Sequence, residues 1–104
     1  MIARRTWSFA SPGIPSRHVP GEPGTTARDE LVVRNEGEAV ANLRMSVHHG
    51  GCRVDGYRLG VAPGGERSVR VNDLIFPEAV PLDVPYRIDI DCDVPVGVRF
   101  VHVR

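Results

Sequence analysis

The sequence contains no lysine, so arginine alone supplies its long basic side chains. Thirteen basic residues face thirteen acidic ones, and the formal net charge at pH 7 is zero. A neutral chain has no overall field that would steer nucleic acid or a membrane surface toward it. The charge balance therefore argues against a nucleic-acid-binding protein, and we do not expect DNA as a partner.

Cysteine is also scarce, since the chain contains two, Cys52 and Cys92. Their wide separation fits neither a disulfide-stabilised scaffold nor a paired-cysteine zinc site. We expect both to remain reduced thiols in a cytoplasmic protein.

Long apolar runs are missing as well. No segment approaches the roughly 20 apolar residues of a membrane-spanning helix, and the first residues lack the apolar stretch of a secretory signal. The length of 104 residues predicts one domain over residues 1–104.

What the chain does contain is alternation of apolar and polar residues, interrupted often by proline and glycine. Period-two alternation is typical of strands with one buried face. The pattern predicts an all-β protein, an antiparallel β-sandwich or jelly-roll-like fold of about seven to eight strands. Strands can be placed at residues 4–10, 29–35, 39–48, 56–62, 66–72, 86–91 and 96–103. We expect residues 11–26 to form a long surface loop and residues 35–38 to form a tight hairpin turn.

Residues 56–72 show the clearest hairpin pattern, with two alternating segments around Pro63-Gly64-Gly65. A register that buries the same face on both strands pairs Leu59 with Val69 and Tyr57 with Val71.

This register places Arg58 directly opposite Arg70 on the outer face. Like charges in that position repel, so a nearby carboxylate, a bound anion or a partner surface should neutralise them. Asp55 or Glu66 could also screen a solvated pair that has no binding role. If the pair serves binding, the candidate site comprises Arg58, Arg70, Tyr57, Asn72 and Asp73.

The segment from His48 to Cys52 has the donor types of a zinc or copper site. Adjacent residues on a strand point to opposite faces, so His48 and His49 cannot share one ion unless the chain has already left the strand. A further ligand would have to be His18 or His102, brought close by folding. We therefore expect strand-end histidines beside a Gly-Gly turn and no metal site.

The acidic residues Asp89, Asp91 and Asp93 alternate along a predicted strand but lack the glycine and the glutamate of a calcium loop. Carboxylates with this spacing suit an acid–base ladder with arginines such as Arg99 on the next strand, or a subunit interface. No nucleophile motif or phosphate-binding loop accompanies them. We expect no enzymatic activity, no catalytic residue and no cofactor.

The most specific motifs lie in the second half of the chain, in Gly56-Tyr57-Arg58-Leu59, Val69 to Leu74, Val80-Pro81 and Val94-Pro95. They resemble the family of small sensory rhodopsin transducers, and the resemblance extends over nearly the whole chain through Thr6-Trp7, Gly13-Ile14-Pro15, Glu30, Asn35 and Ala41. It implies a cytoplasmic β-sandwich that assembles as a tetramer, relays a signal from a photoreceptor and has no established enzymatic activity. Relatives without a rhodopsin also make a general ligand- or partner-binding module compatible with the resemblance.

The chain departs from the transducers at several positions. Pro63-Gly64-Gly65 stands in place of a short basic stretch, and the sequence ends at Arg104 without their polar tail. Phe100 and His102 stand where a histidine and an arginine would be expected. The first two departures argue against DNA binding and against docking to a rhodopsin.

We predict a non-enzymatic signalling or interaction module that acts as a homo-oligomer, with a tetramer favoured and a protein partner such as a membrane photoreceptor. The alternative is a β-sandwich that binds a small ligand, either a sugar or an anion. Exposed aromatic rings around a concave pocket would favour the ligand-binding alternative, whereas a flat, charge-patterned face would favour the interaction module.

Overall fold

The computed structural model describes residues 3–14 and 28–103, and most of the predicted loop at 11–26 lies outside them. Six strands are present in these ranges: β1 (Arg4–Ser11), β2 (Arg28–Arg34), β3 (Ala41–His49), β4 (Cys52–Val61), β5 (Glu66–Arg70) and β6 (Tyr86–Val103). All their pairings are antiparallel, and the one helical element of the described ranges is a 3-10 turn at Val71–Asp73. The prediction of an antiparallel all-β fold is confirmed.

The 18-residue strand β6 joins the two halves of the sheet. Its first half pairs with β1 on one side and β3 on the other, and its second half pairs with β2. The strand order is β4-β3-β6-β2-β5, with β1 also beside β6. Apolar side chains of both halves belong to one buried cluster, so the sheet curls around its core. The largest fully buried apolar side chains of this cluster are Tyr57, Ile14, Leu31, Leu43, Met45 and Ile88.

The sequence predicted two separate strands at 86–91 and 96–103, where the structure has the single strand β6. The described ranges therefore contain six strands instead of about seven. Pairing with β3 ends at Cys92, and pairing with β2 begins at Gly97. Pro95, which cannot donate a backbone hydrogen bond, lies where β6 changes partners. Proline is tolerated in a strand at such a position.

The hairpin predicted for residues 56–72 is wrong in its pairing. Strand β4 pairs with β3 and β5 pairs with β2, at opposite ends of the strand order. In the linking turn, Gly64 has a φ of +68° and the Gly65 amide donates to the Ala62 carbonyl at 2.9 Å. Proline followed by a glycine of positive φ is the signature of a type II turn, whose twist does not suit a tight hairpin. The turn instead carries the chain from one half of the sheet to the other.

The observed register replaces both predicted pairs. Leu59 pairs with Leu43 and Tyr57 with Met45, while Val69 pairs with Leu31. Strand β3 alternates as regularly as the segments of the expected hairpin, so matching buried faces did not identify the true neighbour.

The tight hairpin of this fold joins β3 to β4 through Gly50 and Gly51, whose φ angles are +54° and +78°. Two successive positive φ angles define the turn type that matches strand twist. Residues 35–38, by contrast, do not form a hairpin between neighbours, because β2 and β3 pair with different halves of β6 and not with each other.

Candidate interaction surface

The outer face of β1, β3, β4 and the first half of β6 carries charged and hydroxyl side chains, and we call it the charged face. It is polar because every second residue of these strands is directed into the core. The register aligns two rows across the four strands, Ser8–Asp89–Ser46–Asp55 and Thr6–Asp91–Arg44–Arg58.

Asp89 is the most highly connected carboxylate of the charged face. Ser8 Oγ donates to its Oδ1 at 2.7 Å, and Arg87 donates to both carboxylate oxygens at 3.1 and 3.2 Å. Burial alone would raise the pKa of Asp89, but these hydrogen bonds outweigh it and hold the pKa below its ordinary value. His48 Nε2 lies 2.9 Å from Oδ2 without hydrogen-bond alignment, so that contact is attractive chiefly when the imidazole is protonated.

The other carboxylates of this face are also matched by donors. Hydrogen bonds from Ser46 and then from Arg53 lower the pKa of Asp55. Asn42 lowers that of Asp93 through its backbone amide and its side chain. Arg44 Nη2 donates to Asp91 at 2.8 Å.

The predicted acid–base ladder is therefore present, with partners that the sequence did not identify. Asp89, Asp91 and Asp93 meet side chains of β1 and β3 and Arg87 of their own strand. Arg99, the expected partner, lies in register with Val32 of β2 instead.

The carboxylates of this face present fixed negative charges at neutral pH. Carboxylates with lowered pKa values stay ionised at neutral pH and cannot act as general acids there. An open groove of about 890 Å³ runs over the face, lined by polar side chains such as Arg44, Ser46 and Asp89 and also by the rings of Trp7 and Phe9. Paired charges of both signs therefore form a fixed pattern beside two aromatic rings.

The predicted contact between Arg58 and Arg70 is wrong. Arg58 lies opposite Arg44 on β3, whereas Arg70 lies opposite Glu30 on β2, with its Nε 3.8 Å from a Glu30 carboxylate oxygen. The binding role of the two arginines stays a prediction.

The other predicted site residues lie in further environments. Tyr57 is buried in the core, where its hydroxyl donates to the Glu78 carbonyl at 2.5 Å. Burial, and then the charge of Glu78, raises its pKa. Asn72 is half-buried, and its Oδ1 has no hydrogen-bond partner within the described ranges. Asp73 is exposed, and no side chain caps the 3-10 turn.

A buried carboxylate that the sequence analysis missed ties three strands together. Asp29 has no exposed surface and accepts hydrogen bonds from Ser11 Oγ at 2.6 Å and Tyr86 OH at 2.7 Å. His102 Nδ1 lies 2.6 Å from its other oxygen. The carboxylate stands between the hydroxyl and the imidazole, whereas a nucleophilic triad needs the imidazole in the middle. Because its partners are distant in sequence, no local motif could have indicated this cluster.

The histidines of the β3–β4 hairpin diverge, as strand geometry requires. His48 faces Asp89, and His49 lies opposite Cys52. Residues 3–14 and 28–103 contain no group of three or more His, Cys, Asp or Glu side chains placed to hold a metal ion.

Over the same ranges, no helix has the length and apolar character needed to cross a bilayer.

Comparison with known proteins gives one family. The sequence signature of the Anabaena sensory rhodopsin transducer matches residues 2–103, while no functionally curated protein matches. Among solved structures, the Anabaena sensory rhodopsin transducer superposes with a TM-score of 0.87 at 27% identity, covering 99% of this chain and 90% of its own. A Thermotoga maritima protein, 1070, gives a TM-score of 0.72 at 23% identity, with coverage of 94% and 78%, and shows the shared fold alone. The chain belongs to the Anabaena sensory rhodopsin transducer family.

Proposed function

We propose that this protein is a non-enzymatic signalling module that acts as a homo-oligomer and meets a protein partner through the charged face. Membership of the transducer family supports the signalling role. The observation that carries the interaction role is the two-row pattern in which each aspartate lies beside hydroxyl or arginine side chains, because it gives a partner a fixed arrangement of both signs to complement.

The partner that the family suggests is a membrane photoreceptor, with the module on the cytoplasmic side. Two free cysteines, Cys52 and Cys92, agree with a reducing compartment. The exposed arginines and aspartates would give specificity and rapid association more than raw affinity, as is general for charged interfaces.

A charge swap can test the charged face without confusing binding with stability. Arg44→Asp alone breaks the ion pair with Asp91. The double variant Arg44→Asp/Asp91→Arg restores an internal pair but inverts the pattern presented to the partner. We expect both variants to bind the rhodopsin-type receptor of the same organism, held in lipid nanodiscs, at least tenfold more weakly than the wild type.

The matched control is Arg99→Gln, an exposed arginine outside the charged face. It should bind like the wild type, and the double variant should melt close to the wild type. Wild-type affinity in the double variant would remove the charged face from the interface, and no binding by the wild-type protein would remove the photoreceptor as partner.

The second candidate function is binding of a small anion. One observation favours it over a sugar ligand. Arg58 and Arg67 line a hollow at the β4 edge of the charged face, and neither has a carboxylate oxygen within 4 Å among the described residues.

A further inference from the structure

We propose that the hollow above Gly60 is a binding site for the phosphate group of a small phosphomonoester. The inference names the ligand class of the anion-binding alternative and rests on that alternative only. It does not depend on the partner of the charged face, so the two proposals fail in different experiments.

The first element of the site is an unmatched charge on β4. Arg58 and Arg44 lie directly opposite each other, a placement that is unfavourable for like charges. Arg44 is matched by Asp91 at 2.8 Å. Arg58 has no carboxylate oxygen within 4 Å in residues 3–14 and 28–103, so its charge is available to a ligand.

The second element reaches the same place from the other half of the sheet. Arg67 of β5 donates from Nη1 to the Gly60 carbonyl at 2.9 Å, which fixes its guanidinium beside β4. This bond uses one of the five N–H donors of the group. Arg67, too, lacks a carboxylate oxygen within 4 Å among the described side chains.

The third element is empty space between the two arginines. A cavity of about 390 Å³ is lined by Asn42, Leu43, Arg58, Leu59, Gly60 and Arg67. A Cβ built on Gly60 would meet no atom within 4 Å, so the space directly above the Gly60 backbone is unoccupied by protein atoms. The volume is within the range of small-ligand sites.

A carboxylate bonded to Asn42, one of the lining residues, is already engaged by that residue. Asp93 accepts hydrogen bonds at 2.9 Å from the Asn42 amide and at 2.9 Å from its Nδ2, one on each carboxylate oxygen. The carboxylate is thereby held on the β6 side of Asn42.

A phosphomonoester fits these elements by charge and by shape. It carries about −1.5 to −2 at pH 7, which two guanidinium groups balance. The planar donor fork of arginine matches phosphate oxygens in pairs. The cavity leaves room for a small organic group beyond the phosphate.

Calorimetric titration of the intact protein at low ionic strength tests the site, with glycerol 3-phosphate, inorganic phosphate and glycerol as probes. We expect one phosphate-dependent site per chain and no heat of binding with glycerol. Tighter binding of glycerol 3-phosphate identifies an ester as ligand, and equal binding of inorganic phosphate supports the site with free phosphate as its source.

Three variants test the position of the site, and one control variant tests whether loss of any exposed arginine has the same effect. Arg58→Gln and Arg67→Gln should each weaken binding at least tenfold. Gly60→Val should abolish binding by filling the hollow while leaving every charge in place, and valine is well tolerated in a strand. Arg99→Gln, which removes the same charge elsewhere, should bind like the wild type. No phosphate binding by the wild-type protein, or wild-type affinity in either folded arginine variant, would overturn the proposal.

Discussion

Asn35 is a fully buried polar side chain that holds the crossover between the two halves of the sheet. Its Nδ2 donates to the carbonyls of Ala39 and Val61 at 2.7 and 3.2 Å, and its Oδ1 accepts from the Gly37 amide at 3.0 Å. We expect Asn35→Ala to lower the free energy of unfolding by about 3 kcal/mol, because it leaves buried backbone groups without partners. Urea denaturation measures the loss.

The matched control for that variant is Asn42→Ala, which removes an exposed amide and its solvent-exposed hydrogen bond to Asp93. Its cost should stay below about 1 kcal/mol, as is usual for surface sites. Equal losses in the two variants would show that the buried network of Asn35 does not stabilise the crossover.

The buried carboxylate of Asp29 gives a second prediction for a single residue. Asp29→Asn keeps the shape but places an amide donor against the donors that surround it, and we expect a loss of about 3 kcal/mol. Tyr86→Phe deletes only the hydrogen bond from the Tyr86 hydroxyl to Asp29 Oδ2, and it should lower the free energy of unfolding by about 1 kcal/mol. Chemical denaturation of both proteins tests this order, and a larger loss in Tyr86→Phe would contradict it.

At the level of strands, the sequence located most elements but did not identify their neighbours. Period-two alternation predicted the starts of β1, β2, β3 and β5 to within two residues. Alternation defines which face of a strand is buried, and several registers can satisfy that requirement. The turn at Pro63 was identified correctly as a turn. Its type II backbone, however, leads from β4 to β5 in the other half of the sheet and does not close a hairpin.

The same limit applied to the candidate site. Exposure of Arg58 followed from alternation within β4, whereas its true neighbours, Arg44 and Arg67, come from pairings that connect distant parts of the chain. Asp29 and His102 were beyond local reasoning for the same reason.

The carboxylates of the charged face predict how stability depends on pH. The folded pKa values of Asp55, Asp89 and Asp93 lie below the ordinary value of 3.8. A depressed folded pKa stabilises the protein above pH 3.8, and this contribution is lost as the pH falls through the folded value. We therefore expect the urea concentration at the unfolding midpoint to decrease when the pH is lowered below about 4.

The variant Asp89→Asn checks the origin of that effect. It should be less stable than the wild type at pH 6 and should lose less stability on acidification, since one of the titrating groups is gone. Glu38→Gln removes an exposed acid that has no ion pair within 4 Å in the described ranges and should follow the wild-type profile. An Asp89→Asn profile as steep as that of the wild type would assign the acid sensitivity to other groups.

On the scale of the whole molecule, two features are exposed to solvent: the edges of the sheet and a loop with apolar side chains. Strands β4 and β5 end the strand order, and unpaired edges favour association unless they are protected. Ile75 and Phe76, in the loop after β5, expose 72% and 84% of their surface. Adjacent exposed apolar side chains are typical of contact surfaces, which agrees with the homo-oligomer that we propose.

We expect light scattering coupled to size exclusion to give about four times the chain mass of 11.4 kDa at micromolar concentration. Phe76→Ser should shift the protein to smaller species while leaving the fold intact, because the ring of Phe76 is outside the core. Val40→Ser, which alters another exposed apolar residue (51% exposed), should leave the mass unchanged. A wild-type monomer would refute the homo-oligomer, whereas an oligomer insensitive to Phe76→Ser would place the subunit contact elsewhere, at the sheet edges or the charged face.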